Sequence, residues 1–137
     1  MQVESITPIL NVSDLAGSFA WFEQFGWKKL WDWGNPPTFG AVSSGKCEIF
    51  LCKNAQGARG GNLPKFEGDD NTGAVWMSWW VPTPADVDAA YALAIKNGMT
   101  VTRPPKDETW GVRECHIRHP DGHTFRVGAG INECNGL

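Results

Sequence analysis

The residues with the most chemistry in them sit close together near the end of the chain: Glu114, Cys115, His116, Arg118, His119, Asp121, His123 and Arg126. His116, His119 and His123 are the chain's whole complement of histidine. Imidazole beside carboxylate suits acid–base work or metal ligation. The spacing argues against a shared ion, because His116 and His119 project to opposite faces of a strand while His119 and His123 flank a turn open to solvent. All three therefore read as surface or rim side chains. Neither a G-x-S-x-G elbow nor a phosphate loop is present, so covalent chemistry has few places to reside.

What must position these groups is a β-hairpin. Val112 to His119 and His123 to Val127 alternate on either side of Pro120-Asp121-Gly122, where proline presets one turn residue and glycine supplies a positive φ. Cys115, Ile117, Phe125 and Val127 then face a core, and Glu114, His116, Arg118, Thr124 and Arg126 share the opposite, charged face.

Upstream, Val3 to Val12 reads as a strand with Pro8 at an edge or crossing point. Ser13 caps a helix starting at Asp14, with Leu15, Phe19, Phe22 and Phe25 at helical spacing until Gly26. Trp27 to Asp32, Phe39 to Ser43 and Lys46 to Cys52 read as strands. Asn54 to Gly73, rich in Gly, Asn and Asp, reads as a surface connector whose Asp69 and Asp70 are solvated. Ala74 to Val81 is a further strand. Thr83-Pro84-Ala85-Asp86 opens a second helix with a capping hydroxyl, an N1 proline and an acidic third residue. Thr100 to Arg103 is a strand, Pro104-Pro105 to Thr109 a loop, and the hairpin closes the chain. The expectation is one α+β domain of two βαβββ modules, about 1–54 and 74–130, joined by 55–73 and pairing mixed sheets around a cleft.

A chain of 137 residues can bury a sizeable core without disulfides. Its net charge of −3 gives no footprint for nucleic acid and mildly favours a cationic small molecule. Cys47, Cys52, Cys115 and Cys134 lack C-x-x-C spacing, and Met1 to Ser5 lacks the features of a signal peptide, which points to a cytoplasmic protein with free thiols and no membrane partner. Eight tryptophans against one tyrosine exceed what core filling asks of a small domain.

The run Ile9 to Leu15 leading into the first helix, the strand Val75 to Val81 leading into Asp86-Val87-Asp88-Ala89, and the Pro120-Asp121-Gly122 hairpin together resemble the vicinal oxygen chelate superfamily, which includes glyoxalases, extradiol dioxygenases and bleomycin resistance proteins. The resemblance implies a divalent metal held at four positions, which here carry Thr7, Phe50, Trp76 and Arg126. Those residues are poor ligands, and Arg126 would repel a cation. The bleomycin resistance proteins are the most similar branch, since they lack the metal and carry a run like Trp110-Gly111-Val112-Arg113-Glu114. The resemblance implies that Phe39 and Trp110 clasp a planar ligand and that the chain forms a homodimer in which the first strand crosses to the partner at Pro8.

If Trp76 faces the cleft, Ser78 and Trp80 share its side, while Met77, Trp79 and Val81 pack beneath the second helix. Trp31 or Trp33 could line the first module's half, and Trp21 reads as a helix-surface or interface residue. Glu48 and Glu114 either meet a ligand's positive group or pair Arg126 and Arg118. The expected function is cofactor-free sequestration of a planar, partly cationic small molecule such as a bleomycin-type antibiotic, with Phe39, Phe50, Trp76, Trp80, Trp110, Glu114 and Arg126 as binding residues. One alternative is a glyoxalase-like metal-dependent lyase, isomerase or dioxygenase that uses His116 and Glu114. Another is a structural dimer whose tryptophans fill an interface.

Overall fold

The structure is a computed structural model that describes residues 1–60 and 73–131. Most of the expected connector, with Asp69 and Asp70, and also Cys134, lie outside the described residues. The chain divides into two compact units, Met1–Arg59 and Gly60–Leu137. Each runs strand, helix and three strands, the repeat that the hydrophobic patterning indicates.

In the first unit β1 (Ile9–Val12) is followed by α1 (Leu15–Glu23), β2 (Lys28–Gly34), β3 (Pro37–Ser44) and β4 (Cys47–Lys53). The sheet order is β1-β4-β3-β2, with β1 parallel to β4 and the other pairs antiparallel. Two local expectations are corrected. The ladder begins at Ile9 and not Val3, because Pro8 has no N–H to give and contributes only its carbonyl, to Phe50 N at 2.9 Å. The helix is capped by Asp14 and not Ser13: its carboxylate accepts from Gly17 N at 2.9 Å.

Leu10, Val12, Phe19, Phe22, Trp27, Val42, Ile49 and Leu51 form the core between α1 and the sheet. Trp21 belongs there too, not on the helix surface: its ring meets those of Phe22 and Phe25, each at 5.2 Å between centroids. Gly40 lets the helix approach, since a β-carbon there would strike Phe19 Cζ and lie 2.9 Å from the Trp31 carbonyl oxygen. Gly40→Ala is expected to cost about 2 kcal/mol through overpacking. A urea midpoint matching that of the parent would show that the helix can retreat freely.

The second unit contains β5 (Trp76–Trp80), α2 (Pro84–Lys96), β6 (Thr100–Asp107), β7 (Val112–Arg118) and β8 (Thr124–Gly130), in the order β5-β8-β7-β6. The capping box forms as expected, with Thr83 and Asp86 satisfying one another's backbone N–H groups. Pro104 and Pro105, expected in a loop, lie inside β6. They are tolerated because β6 is an edge strand and its pairing to β7 skips from Arg103 to Lys106. Val87, Ala94, Cys115, Ile117, Phe125 and Val127 are buried, and Trp79 stacks on Phe125 at 4.3 Å, so the predicted core face of the hairpin is the observed one. Burial lifts the Cys115 thiol to about 12, with Asp88 and Glu114 adding to it, which keeps that thiol unreactive.

Candidate functional site

Each unit has one sheet face covered by its helix, and the opposite face carries the candidate residues. In the first unit that face is aromatic. Phe39 and Phe50 meet at 5.5 Å between ring centroids, and Trp31 stacks on Phe39 at 5.7 Å and meets Phe50 at 5.6 Å. Alternation explains the grouping. Phe39 and Ala41 on β3 share a side with Phe50 on β4, and Trp31 on β2 pairs with Ala41. Trp33 pairs with Phe39 and is 70% exposed. Glu48, on β4 opposite Ser43, belongs to this unit.

In the second unit the corresponding face holds a hydrogen-bonded cluster centred on Glu114, which is 3% exposed. Arg126 donates from Nε to Oε2 at 3.1 Å and from Nη2 to Oε1 at 2.9 Å. Trp110 Nε1 donates to the same Oε1 at 3.0 Å, and His116 Nε2 lies 2.7 Å from Oε2. Burial pushes the Glu114 carboxyl up, but the hydrogen bonds from Arg126, His116 and Trp110 prevail and hold it at about 2. The Arg126 guanidinium is correspondingly stabilised in its charged form by its hydrogen bonds to Glu114.

An ionised carboxylate only accepts, so His116 Nε2 carries the proton facing Glu114 and, in the neutral ring, Nδ1 is a bare acceptor. Nδ1 is buried with no hydrogen-bond partner among the described residues. The Trp76 ring meets His116 edge-on, at 5.6 Å and 87°. Nearby on the same sheet, Arg103 reaches Glu108 at 3.3 Å.

Of the residues expected to bind ligand, the structure brings together Trp110, Glu114 and Arg126, with Trp76 joined through His116. Phe39 and Phe50 form a separate group with Trp31. On β5, Trp76, Ser78 and Trp80 are exposed while Met77 and Trp79 are less so, the alternation expected of them. The choice between two roles for Glu114 falls to pairing: four N–H groups from three residues occupy its two oxygens, so it has little left for a ligand's cation. The partner is Arg126 and not Arg118, whose Nε instead donates to Thr124 Oγ1 at 3.1 Å.

The three histidines are corrected. His116, His119 and His123 are all buried, none more than 4% exposed. The turn between the last two is covered by Gly60, whose N–H donates to the Asp121 carbonyl at 2.7 Å. His119 Nδ1 accepts from Asp121 N at 3.0 Å and His123 Nδ1 from Val75 N at 3.2 Å. Sequence alternation shows which face a residue takes, but not that a distant backbone segment lies over it.

The positions at which a divalent metal would be held do not suit one. Phe50 and Trp76 offer no donor to a cation and Arg126 presents a fixed positive charge, which leaves Thr7 alone. Among the described residues, no group of three His, Cys, Asp or Glu side chains is placed to hold an ion.

The family model described as Glyoxalase/Bleomycin resistance protein/Dioxygenase superfamily matches residues 3–127. Among solved structures, TioX from Micromonospora sp. ML1 is similar at a TM-score of 0.72 and 17% identity, over 94% of this chain and 100% of that one. A bleomycin-binding protein complexed with bleomycin aligns at 0.65 and 14% identity, over 93% and 99%. A lactoylglutathione lyase from Agrobacterium tumefaciens aligns at 0.68 and 18%, over the whole of both chains. At these identities the likeness is one of fold. No curated protein matches the sequence significantly.

Proposed function

The chain belongs to the Glyoxalase/Bleomycin resistance protein/Dioxygenase superfamily, and from that premise we propose that it is a metal-independent binding protein that sequesters a planar aromatic small molecule such as a bleomycin-type antibiotic. The observation that carries this reading is the presentation of Trp110. Its indole N–H is anchored on Glu114 while 56% of the residue stays exposed. A flat ring held at a fixed angle with an open surface can stack a planar ligand at little cost in ordering.

Trp31, Phe39 and Phe50 offer a second aromatic surface of the same character on the first unit. Stacking contributes roughly 0.5–1.5 kcal/mol per ring pair beyond area burial, enough for sequestration without turnover. A positive group on the ligand would be met by the exposed indole face of Trp33, since the Glu114 carboxylate is already occupied. A homodimer belongs to this reading, and sedimentation of the purified chain tests it. The metal-dependent lyase, isomerase or dioxygenase reading would use His116 and Glu114, but these are hydrogen-bonded to one another and Glu114 is also held by Arg126 and Trp110.

The test is a titration of intrinsic tryptophan fluorescence with metal-free bleomycin, corrected for inner-filter absorption. Saturable quenching near one ligand per chain is expected, with the apparent affinity falling about tenfold in Trp110→Ala, the weight of one lost stacking ring. Quenching that Trp110→Ala leaves unchanged would take the site away from this tryptophan. A flat response to bleomycin removes that drug as a ligand.

A further inference from the structure

The charges of the second unit's open face are unevenly buried. Glu114 and Glu108 have side chains only 3% and 7% exposed, whereas their partners Arg126 and Arg103 remain 37% and 27% exposed. The pairs neutralise one another in sum, yet the atoms that an incoming molecule meets are guanidinium nitrogens. In both pairs the guanidinium is thus the accessible partner and the carboxylate the buried one.

Arg126 is also held in a particular way. Glu114 takes one edge of the guanidinium, Nε and Nη2. The other edge, formed by Nη1 and the second hydrogen of Nη2, has no hydrogen-bond partner among the described residues. Two parallel N–H donors in one plane match the two oxygens of a carboxylate. The buried carboxylate behind them fixes their direction and so lowers the entropy lost on binding.

Around that edge the sheet places flat surfaces. Ser78, exposed, is the direct pairing partner of Arg126 on β5, and Trp76 and Trp80, two residues to either side of Ser78, are diagonal neighbours of Arg126 on the same face. Trp80 lies across Gly128, where an added β-carbon would come within 3.4 Å of its Cζ3 atom. Trp110 shares the Glu114 Oε1 acceptor with Arg126 and is thereby its neighbour.

We infer that the free edge of Arg126, flanked by Trp76, Trp80 and Trp110, is a carboxylate site, and that the planar ligand of this face is an aromatic carboxylate. The inference rests on the stacking reading given above and adds the charge of the group that orients the ligand. The ring stacks on indole, the carboxylate takes Nη1 and Nη2, and the Ser78 hydroxyl is placed to donate to the same oxygens. No bond is made or broken.

The experiment uses three probes of one shape: 2-naphthoate, 2-naphthamide and 2-naphthylmethylammonium, titrated into the full chain while the indole N–H resonances are followed by NMR. The expected result is that 2-naphthoate binds about tenfold more tightly than the ammonium, with the amide between them, as for a charge-assisted hydrogen-bonded pair. In Arg126→Gln the naphthoate should fall to the level of the amide, and in Arg126→Lys, which keeps the charge and loses the fork, it should retain part of its advantage. Equal binding of naphthoate and ammonium by the parent protein overturns the carboxylate site and leaves the stacking face standing. Failure of all three probes to shift any indole resonance overturns both. Should Arg126→Gln not fold, the parent's preference between carboxylate and ammonium, together with Arg126→Lys, decides the matter.

Discussion

Glu114→Gln is expected to lower the free energy of unfolding by about 3 kcal/mol, the usual cost of breaking a buried ion pair from one side. The reason lies in the number of donors. Two N–H groups converge on each oxygen, Arg126 and Trp110 on Oε1 and Arg126 and His116 on Oε2. Glutamine keeps one acceptor and turns the other into an NH₂ group, so whichever way the amide is set, two donors face a third. The buried position gives water little access to make up the loss. Adding Arg126→Met to this variant should recover part of the stability, because the uncompensated charge is then gone. Urea denaturation of both single variants and the double variant measures the coupling. A loss below about 1 kcal/mol in Glu114→Gln would mean that the cluster is as well screened as a surface pair.

Acid should destabilise the protein in two stages. Burial, with the charge of nearby His123 adding to it and Asp121 opposing, pushes the His119 imidazole down to about 4. Its folded pKa is thus below its unfolded value of 6.5. Between those values the unfolded chain binds the extra proton and the folded one does not, so stability falls as pH drops from about 6.5 and the full loss, about 3 kcal/mol, is reached near pH 4. Glu114 adds a second loss at lower pH. Its folded value of about 2 lies under the unfolded 4.5, so its contribution is complete above 4.5 and disappears as pH falls toward 2. Urea midpoints at pH 7, 5.5 and 4 resolve the first stage. His119→Asn, which keeps an acceptor for the Asp121 N–H, should flatten the curve between pH 6.5 and 4. An unaltered slope in that variant would assign the pH dependence to other groups.

Local rules carried much of this structure. Gly122, with φ +89°, turns the hairpin, and strand parity assigns Cys115, Ile117, Phe125 and Val127 to one face and Glu114, His116 and Arg126 to the other. The Thr83 cap and the exposed alternation of Trp76, Ser78 and Trp80 were legible for the same reason, since each depends on residues a few positions apart. What was not legible depends on chain brought from far away. The histidines at the turn are covered by Gly60, more than fifty residues upstream. Within the ladder, Arg126 is paired directly with His116 and reaches Glu114 along the diagonal. Pairing rules bring those residues near one another, and only the side-chain geometry shows that a single carboxylate serves all its donors. Pro104 and Pro105 misled because proline marks a break in a central strand but is allowed along an edge.

The Glu114 cluster has a consequence for how such a protein can diversify. Trp33 and Trp80, 70% and 67% exposed, carry no hydrogen bond among those described that ties them to the fold, so lineages can exchange them for other side chains and try new ligands at small risk to folding. Glu114 has no such latitude, because one change there would unseat Trp110, Arg126 and His116 together. Descent should therefore keep the carboxylate fixed while exposed indoles such as Trp33 and Trp80 drift, so that surface character can vary in residues that the fold does not need.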